Sequence, residues 1–162
     1  MSNRIPRDWY FLKMAYLVSE RATCARRKVG CVLVNSKGHV IATGYNGGAS
    51  GQEHCIDIPC EGADLESGKG LDKCNAIHAE QNALLQCKDV FDIQYVYCTV
   101  SPCRHCLKLL LNTSTKHIIF GEKYIDADIQ GEYWMKHGLA EGRSWTYINK
   151  SIVVDKCSSS LN

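Results

Sequence analysis

The sequence predicts an α/β sandwich, a sheet of β-strands covered by helices, and three observations predict it. Four β-branched runs have the length of strands: "VGCVLV" (29–34), "HVIATG" (39–44), "YVYCTV" (95–100) and "HIIFG" (117–121). An amphipathic helical segment precedes the first pair. A second helical pattern, "CRHCLKLLLN", lies between the last two and is long enough for a crossover.

The first element covers Trp9 to Arg21, where Leu12, Ala15 and Tyr16 share an apolar face and Lys13 and Glu20 face away. It is expected to pack on the sheet. The first two strands are separated by "NSKG", a turn-forming tetrapeptide, and read as a hairpin. The strands at 95–100 and 117–121, with a helix between them, read as a parallel pair in a right-handed unit. A helix over 127–137 and a short strand over 145–148 complete the sandwich. The organisation expected is one domain over 1–150 and a C-terminal tail over 151–162, whose end "DKCSSSLN" is expected to fray. At 162 residues there is room for one core.

Residues 46–75 depart from this regularity. The stretch "NGGASGQEHCIDIPCEGADLESGKGLDKCN" is rich in Gly and acidic residues and poor in apolar ones. Loops of this length inside compact domains are usually functional or held by something.

Composition narrows the function. A net charge of +2 is too small for a dedicated nucleic-acid surface, and fits a small substrate or a single phosphate. No apolar run approaches the ~18 to 20 residues that cross a bilayer, and charges interrupt the N-terminal segment every few positions, unlike a signal peptide. Ten cysteines without a secretory signal point to a reducing compartment, the cytoplasm, or the host cytoplasm if the chain is viral. In that setting thiols stay free or bind metals.

"AIHAEQNALL" (76–85) places His78 two residues before Glu80 at the start of a helical pattern, and "SPCRHC" (101–106) places Cys103 and Cys106 at the start of another. Either motif alone has an ordinary reading, as polar residues at a helix start or as buried thiols. Together they form a His–Cys–Cys set, which can hold a catalytic zinc with its fourth position open. Helix N-termini favour the thiolates, and Pro102 suits the start of the second helix. Glu80 would stand near the ion without ligating it and serve as the proton carrier. The order HxE…PCxxC is that of zinc nucleobase deaminases.

On "TCARRKVG" (23–30), "TGYNGGASGQEHC" (43–55), "HAEQNA" (78–83) and "SPCRHC", the chain resembles the cytidine deaminase-like zinc enzymes, and within them the deoxycytidylate (dCMP) deaminases, from about Trp9 to Tyr147. The resemblance implies a three-layer α/β/α sandwich with a five-stranded mixed sheet. It implies His78, Cys103 and Cys106 as zinc ligands, Glu80 as proton shuttle, and hydrolytic conversion of dCMP to dUMP and ammonia. Arg26, Asn46 and Tyr124 are implied to hold the sugar and 5′-phosphate, with Arg27 as a helper. The backbone N–H of Ala79 and the Ser101 segment would meet the base edge. A homohexamer activated by dCTP and inhibited by dTTP, with Mg2+ accompanying a nucleotide effector, is implied as well.

Cys24, Cys55, Cys60 and Cys74 lie around the long loop and have two readings: buried reduced thiols, or a second, structural zinc that orders the loop. Cys31, Cys87 and Cys98 fall within regular elements and read as core, while Cys157 lies in the tail. Two other functions remain: a further deaminase of the superfamily acting on tRNA adenosine or on a free nucleoside or base, and a zinc-stabilised binding module without catalysis.

Overall fold

The computed structural model describes residues 4–137 and 141–154. Its elements, in chain order, are α1 (Arg7–Ser19), β1 (Gly30–Val34), β2 (Val40–Tyr45), α2 (Ala79–Gln86), β3 (Tyr95–Val100), α3 (Arg104–Leu110), β4 (His117–Glu122), α4 (Ala127–Lys136), β5 (Ser144–Tyr147) and α5 (Lys150–Val154). The five strands form one sheet in the order β2-β1-β3-β4-β5. β1 pairs antiparallel with both β2 and β3, while β3, β4 and β5 run parallel to one another. This is the mixed sheet expected, with the hairpin at one edge and the parallel strands at the other.

Side-chain alternation explains the two outer layers, because successive residues of a strand point to opposite faces. Val32 and Val34 of β1 meet Phe11, Leu12 and Ala15 of α1 on one face, and Val153 of α5 joins them there. Cys31 and Leu33 join Ala79 and Ala83 of α2, Leu107 and Leu110 of α3 and Trp134 of α4 on the other. Both faces of β1 are therefore covered, and all five of its residues are buried.

The boundary drawn at residue 150 falls inside α5, whose Val153 is fully buried. The chain to Val154 thus belongs to the packed body. The segment expected to fray, 155–162, and Cys157 with it, lie outside the described residues. Cys31 and Cys98 are core, as read from their strands. Cys87 is not: it terminates α2, half-buried, and its thiol donates to the carbonyl of Asp89 at 3.3 Å. Leaving the helix at that point turns it toward the core's edge.

Between β2 and α2 the long loop carries one short 3₁₀ turn, Leu71–Lys73. Its two ends are tied down: Gly47 and Ile77 exchange backbone hydrogen bonds of 3.2 and 2.8 Å, and Ile56 N–H reaches Thr23 O at 3.1 Å. No helix of the described residues is long and apolar enough to cross a membrane.

Candidate metal centre and active site

His78 is the N-cap of α2, in extended conformation, and its backbone N–H donates to Gln81 Oε1 at 2.9 Å. Three contacts fix where that cap stands. Ile77 is bridged to Gly47, Asn82 Nδ2 donates to Tyr45 O at 2.8 Å, and Gly44 lets α2 approach β2. A Cβ at Gly44 would run into the backbone of Ala79 and Ala83. The close approach that Gly44 permits is thus to a helix. Cys103 is the N-cap of α3, directly after β3, and Cys106 lies in the first turn of that helix, fully buried.

The two helix starts meet. His78 Nδ1 lies 3.5 Å from Cys103 Sγ and 3.4 Å from Cys106 Sγ, and the three ligand atoms are within 4.8 Å of one another. Zn–N and Zn–S bonds of ~2.0 and ~2.3 Å at tetrahedral angles separate nitrogen from sulfur by about 3.5 Å. The donor set and its spacing therefore fit zinc. Hydrogen bonding from Cys106, then from His78, draws Cys103 down to about 3, so this thiol is held as thiolate. Cys106 is pushed the other way, by its bond to Cys103 and by burial. His78 is raised, chiefly by its hydrogen bond to Cys103. A cluster that stabilises a thiolate and retains protons on its partners is one in which a cation can take the protons' place.

Glu80 is 4% exposed and adjoins this cluster. Burial is the main cause that raises its pKa, opposed by His78. A pocket of about 660 Å³, counted out to its open mouth, contains Glu80, His78 and Cys103 together with Arg26, Asn46, Ala79, Ser101 and Tyr124. Every residue assigned to substrate from the sequence thus lines one cleft with the cluster. Some are already engaged. Asn46 accepts from Val29 N at 2.7 Å and donates to Arg27 O at 2.7 Å, so its amide holds the Arg27–Val29 segment in place. Ser101 Oγ accepts from Tyr124 N at 2.8 Å and so seats Tyr124. Arg26 donates to the carbonyls of Glu66 and Lys69. Arg27 lies over the Tyr124 ring, 5.7 Å from its centroid.

Sequence reading missed the part of the wall formed by Ser67, Gly68 and Leu71. "ESGK" is a legible turn, but nothing local ties it to a histidine ten residues on.

The four loop cysteines are neighbours without being a closed cluster. Cys55 and Cys60 thiols are 3.5 Å apart, and Cys74 feels both Cys24 and Cys60. Backbone pairing of Thr23 with Ile56 and of Gly62 with Lys73 brings their segments side by side. Among the described residues, only His78, Cys103 and Cys106 meet the 4.8 Å closeness of three potential ligands.

Comparison with known proteins agrees with this geometry. Residues 6–122 match the family described as "Cytidine and deoxycytidylate deaminase zinc-binding region". Deoxycytidylate deaminase of Schizosaccharomyces pombe is 38% identical over 128 residues, 75% of this chain, but the chain spans only 39% of that relative's length. The deoxycytidylate deaminase of Mycobacterium phage D29 is 34% identical over 122 residues, covering 70% of this chain and 94% of the phage protein. The dCMP deaminase of cyanophage S-TIM5, crystallised with dCMP and dUMP, superposes with a TM-score of 0.65 at 26% identity, covering 86% of this chain and 94% of that one. With its paired helix starts, its His–Cys–Cys cluster and this match over most of its length, the chain belongs to the cytidine and deoxycytidylate deaminase family.

Proposed function

We infer that the chain is a zinc-dependent dCMP deaminase, which converts dCMP and water to dUMP and ammonia. One observation carries the reading: a buried carboxylate, a His–Cys–Cys cluster and two arginines share a single cleft. A merely structural metal site has no use for the buried Glu80 beside it, since burying a carboxylate is costly. Zinc held by His78, Cys103 and Cys106 would supply Lewis-acid activation of the attacking water.

The remaining steps belong to the chain's own residues. Glu80, whose burial favours the protonated form, accepts a proton from the water, passes it to N3 of the cytosine and assists protonation of the departing 4-amino group. The N–H of Ala79 and the Ser101 segment orient the base edge, while the enclosed walls limit bulk water. Arg26, Asn46 and Tyr124 serve the sugar and phosphate end.

The finer assignments extend this reading. Cys24, Cys55, Cys60 and Cys74 hold a second, structural zinc, supported by the backbone pairing that gathers their segments. The packed body, α5 included, acts as one deaminase domain, assembled as a homohexamer in the cytoplasm, or the host cytoplasm for a viral chain. Activation by dCTP, with Mg2+, and inhibition by dTTP belong to the same proposal and are supported only by the resemblance. Ammonia release from dCMP, CMP, deoxycytidine, dCTP and a tRNA adenosine, each with and without dCTP or dTTP, tests the substrate and effector assignments. The expected result is turnover of dCMP well above the rest. Turnover of deoxycytidine or a tRNA adenosine instead would overturn the substrate assignment, and metal bound without any ammonia would overturn the activity.

A further inference from the structure

A helix begins with N–H groups that have no partner inside it, and the residue at the N-cap usually satisfies one of them with a side-chain oxygen. In α2 that position is held by His78, at φ −68° and ψ 154°. Its Nδ1 is directed instead at Cys103 Sγ and Cys106 Sγ, 3.5 and 3.4 Å away. A ring nitrogen whose lone pair holds a cation cannot also accept from an amide. The start of α2 therefore needs its order from another side chain when the metal is bound.

Gln81, the third residue of α2, reaches back to accept from His78 N–H at 2.9 Å. This bond closes a clamp on one peptide group. The carbonyl of the Ile77–His78 peptide accepts from Gly47 N at 3.2 Å, and its N–H is the group that Gln81 holds. Beyond it, His78 O accepts from Asn82 N at 3.0 Å, the first turn of the helix. A residue bound at the peptide before it, at its N–H and at its C=O has little freedom left in φ and ψ, and these angles aim its Cα–Cβ bond. Gln81 itself lies outside the cleft lining and reaches neither thiol. A glutamate could make the same bond, but would place a second carboxylate next to Glu80. Glutamine makes it without charge.

On the reading that His78, Cys103 and Cys106 hold zinc, we propose that Gln81 is a positioning residue for the metal: by holding the N–H of the Ile77–His78 peptide it aims the His78 ring at the two thiols and governs how long the ion is retained. Its effect runs through the direction of one ligand and not through the stability of the helix as a whole.

Zinc release from the zinc-loaded chain into an excess of a chromogenic chelator tests this, and the phase missing from His78→Ala protein identifies the His78 site. Gln81→Met keeps the length of the side chain and removes the acceptor. It should speed that phase by about 3- to 10-fold, the equivalent of one neutral hydrogen bond, and leave any other zinc phase alone. Gln81→Glu restores an oxygen at the same reach and should bring the rate back to the wild-type value or below it. Leu85→Gly is the control for helix stability, since Leu85 is 76% exposed in the last turn of α2 and glycine there weakens the helix without touching His78. Its release rate should stay near wild type. An unchanged rate in Gln81→Met sinks the proposal, as does a Gln81→Glu protein that releases zinc as fast as Gln81→Met. A Leu85→Gly protein as fast as Gln81→Met overturns it too, because Gln81 would then act only through the helix. Should Gln81→Met not fold, Gln81→Leu is read on the same phase. Equal zinc release by wild-type and His78→Ala protein refutes instead the metal assignment beneath.

Discussion

Glu80 and His78 are two residues apart, yet substitutions at them should fail in different ways. Glu80→Gln keeps the volume and loses the transferable proton, so turnover of dCMP is expected to fall by about 10²–10⁴-fold with zinc content unchanged. His78→Ala removes a ligand 3.4 to 3.5 Å from both thiols, and zinc per chain should drop by one ion. Metal analysis beside the activity assay separates the two, and strong activity in zinc-replete Glu80→Gln protein would refute its role. Asn46 belongs at this scale as well. Asn46 is itself buried and makes two bonds to the backbone of Arg27 and Val29, so Asn46→Ala should cost about 1–3 kcal/mol in chemical denaturation. That role was not legible in "GYNG", where a polar side chain beside glycines reads equally well as a ligand contact.

Helices and strands were legible because their periodicities are local, and their ends were legible within a residue or two. The approach between them was not. Gly44 is the point where α2 comes against β2, and Gly44→Val would push Ala79 and Ala83 outward and carry His78 with them. Overpacking of this kind costs about 1–3 kcal/mol, so lower stability together with reduced zinc affinity is the expected outcome. A stable variant with full zinc would show that His78 is seated by other contacts. α5 gives the complementary case. Val153 is fully buried against Phe11 and Leu12, and Val153→Ala should cost about 1–2 kcal/mol, measured by urea denaturation. A tail without structural weight would show no loss. Five residues bounded by polar sequence carry too little pattern to be read as a packed helix, which is why the boundary was placed at 150.

At the scale of the whole molecule, the loop 46–75 decides how many metals the protein carries. It offers little apolar surface, with Ile56, Ile58, Leu65 and Leu71 all exposed, so burial alone supplies little of its ordering free energy. If zinc supplies the rest, purified protein should hold about two ions per chain, and Cys60→Ser or Cys74→Ser should remove one and raise the loop's protease sensitivity. One ion in fully active protein would leave these four as ordinary thiols. The His–Cys–Cys cluster was readable from sequence alone, since HxE and PCxxC each sit within one helix start and the residue types fix which cation they suit. So was the order of strands and helices, which rests on spacings of two to four residues. Only the tertiary structure decided that His78 stands within 3.5 Å of thiols 25 and 28 residues away, and that Arg26 binds carbonyls 40 and 43 residues on. Contacts across such separations depend on how α2 seats on β2 and how the long loop folds back, and no local pattern encodes a packing angle or the path of a loop.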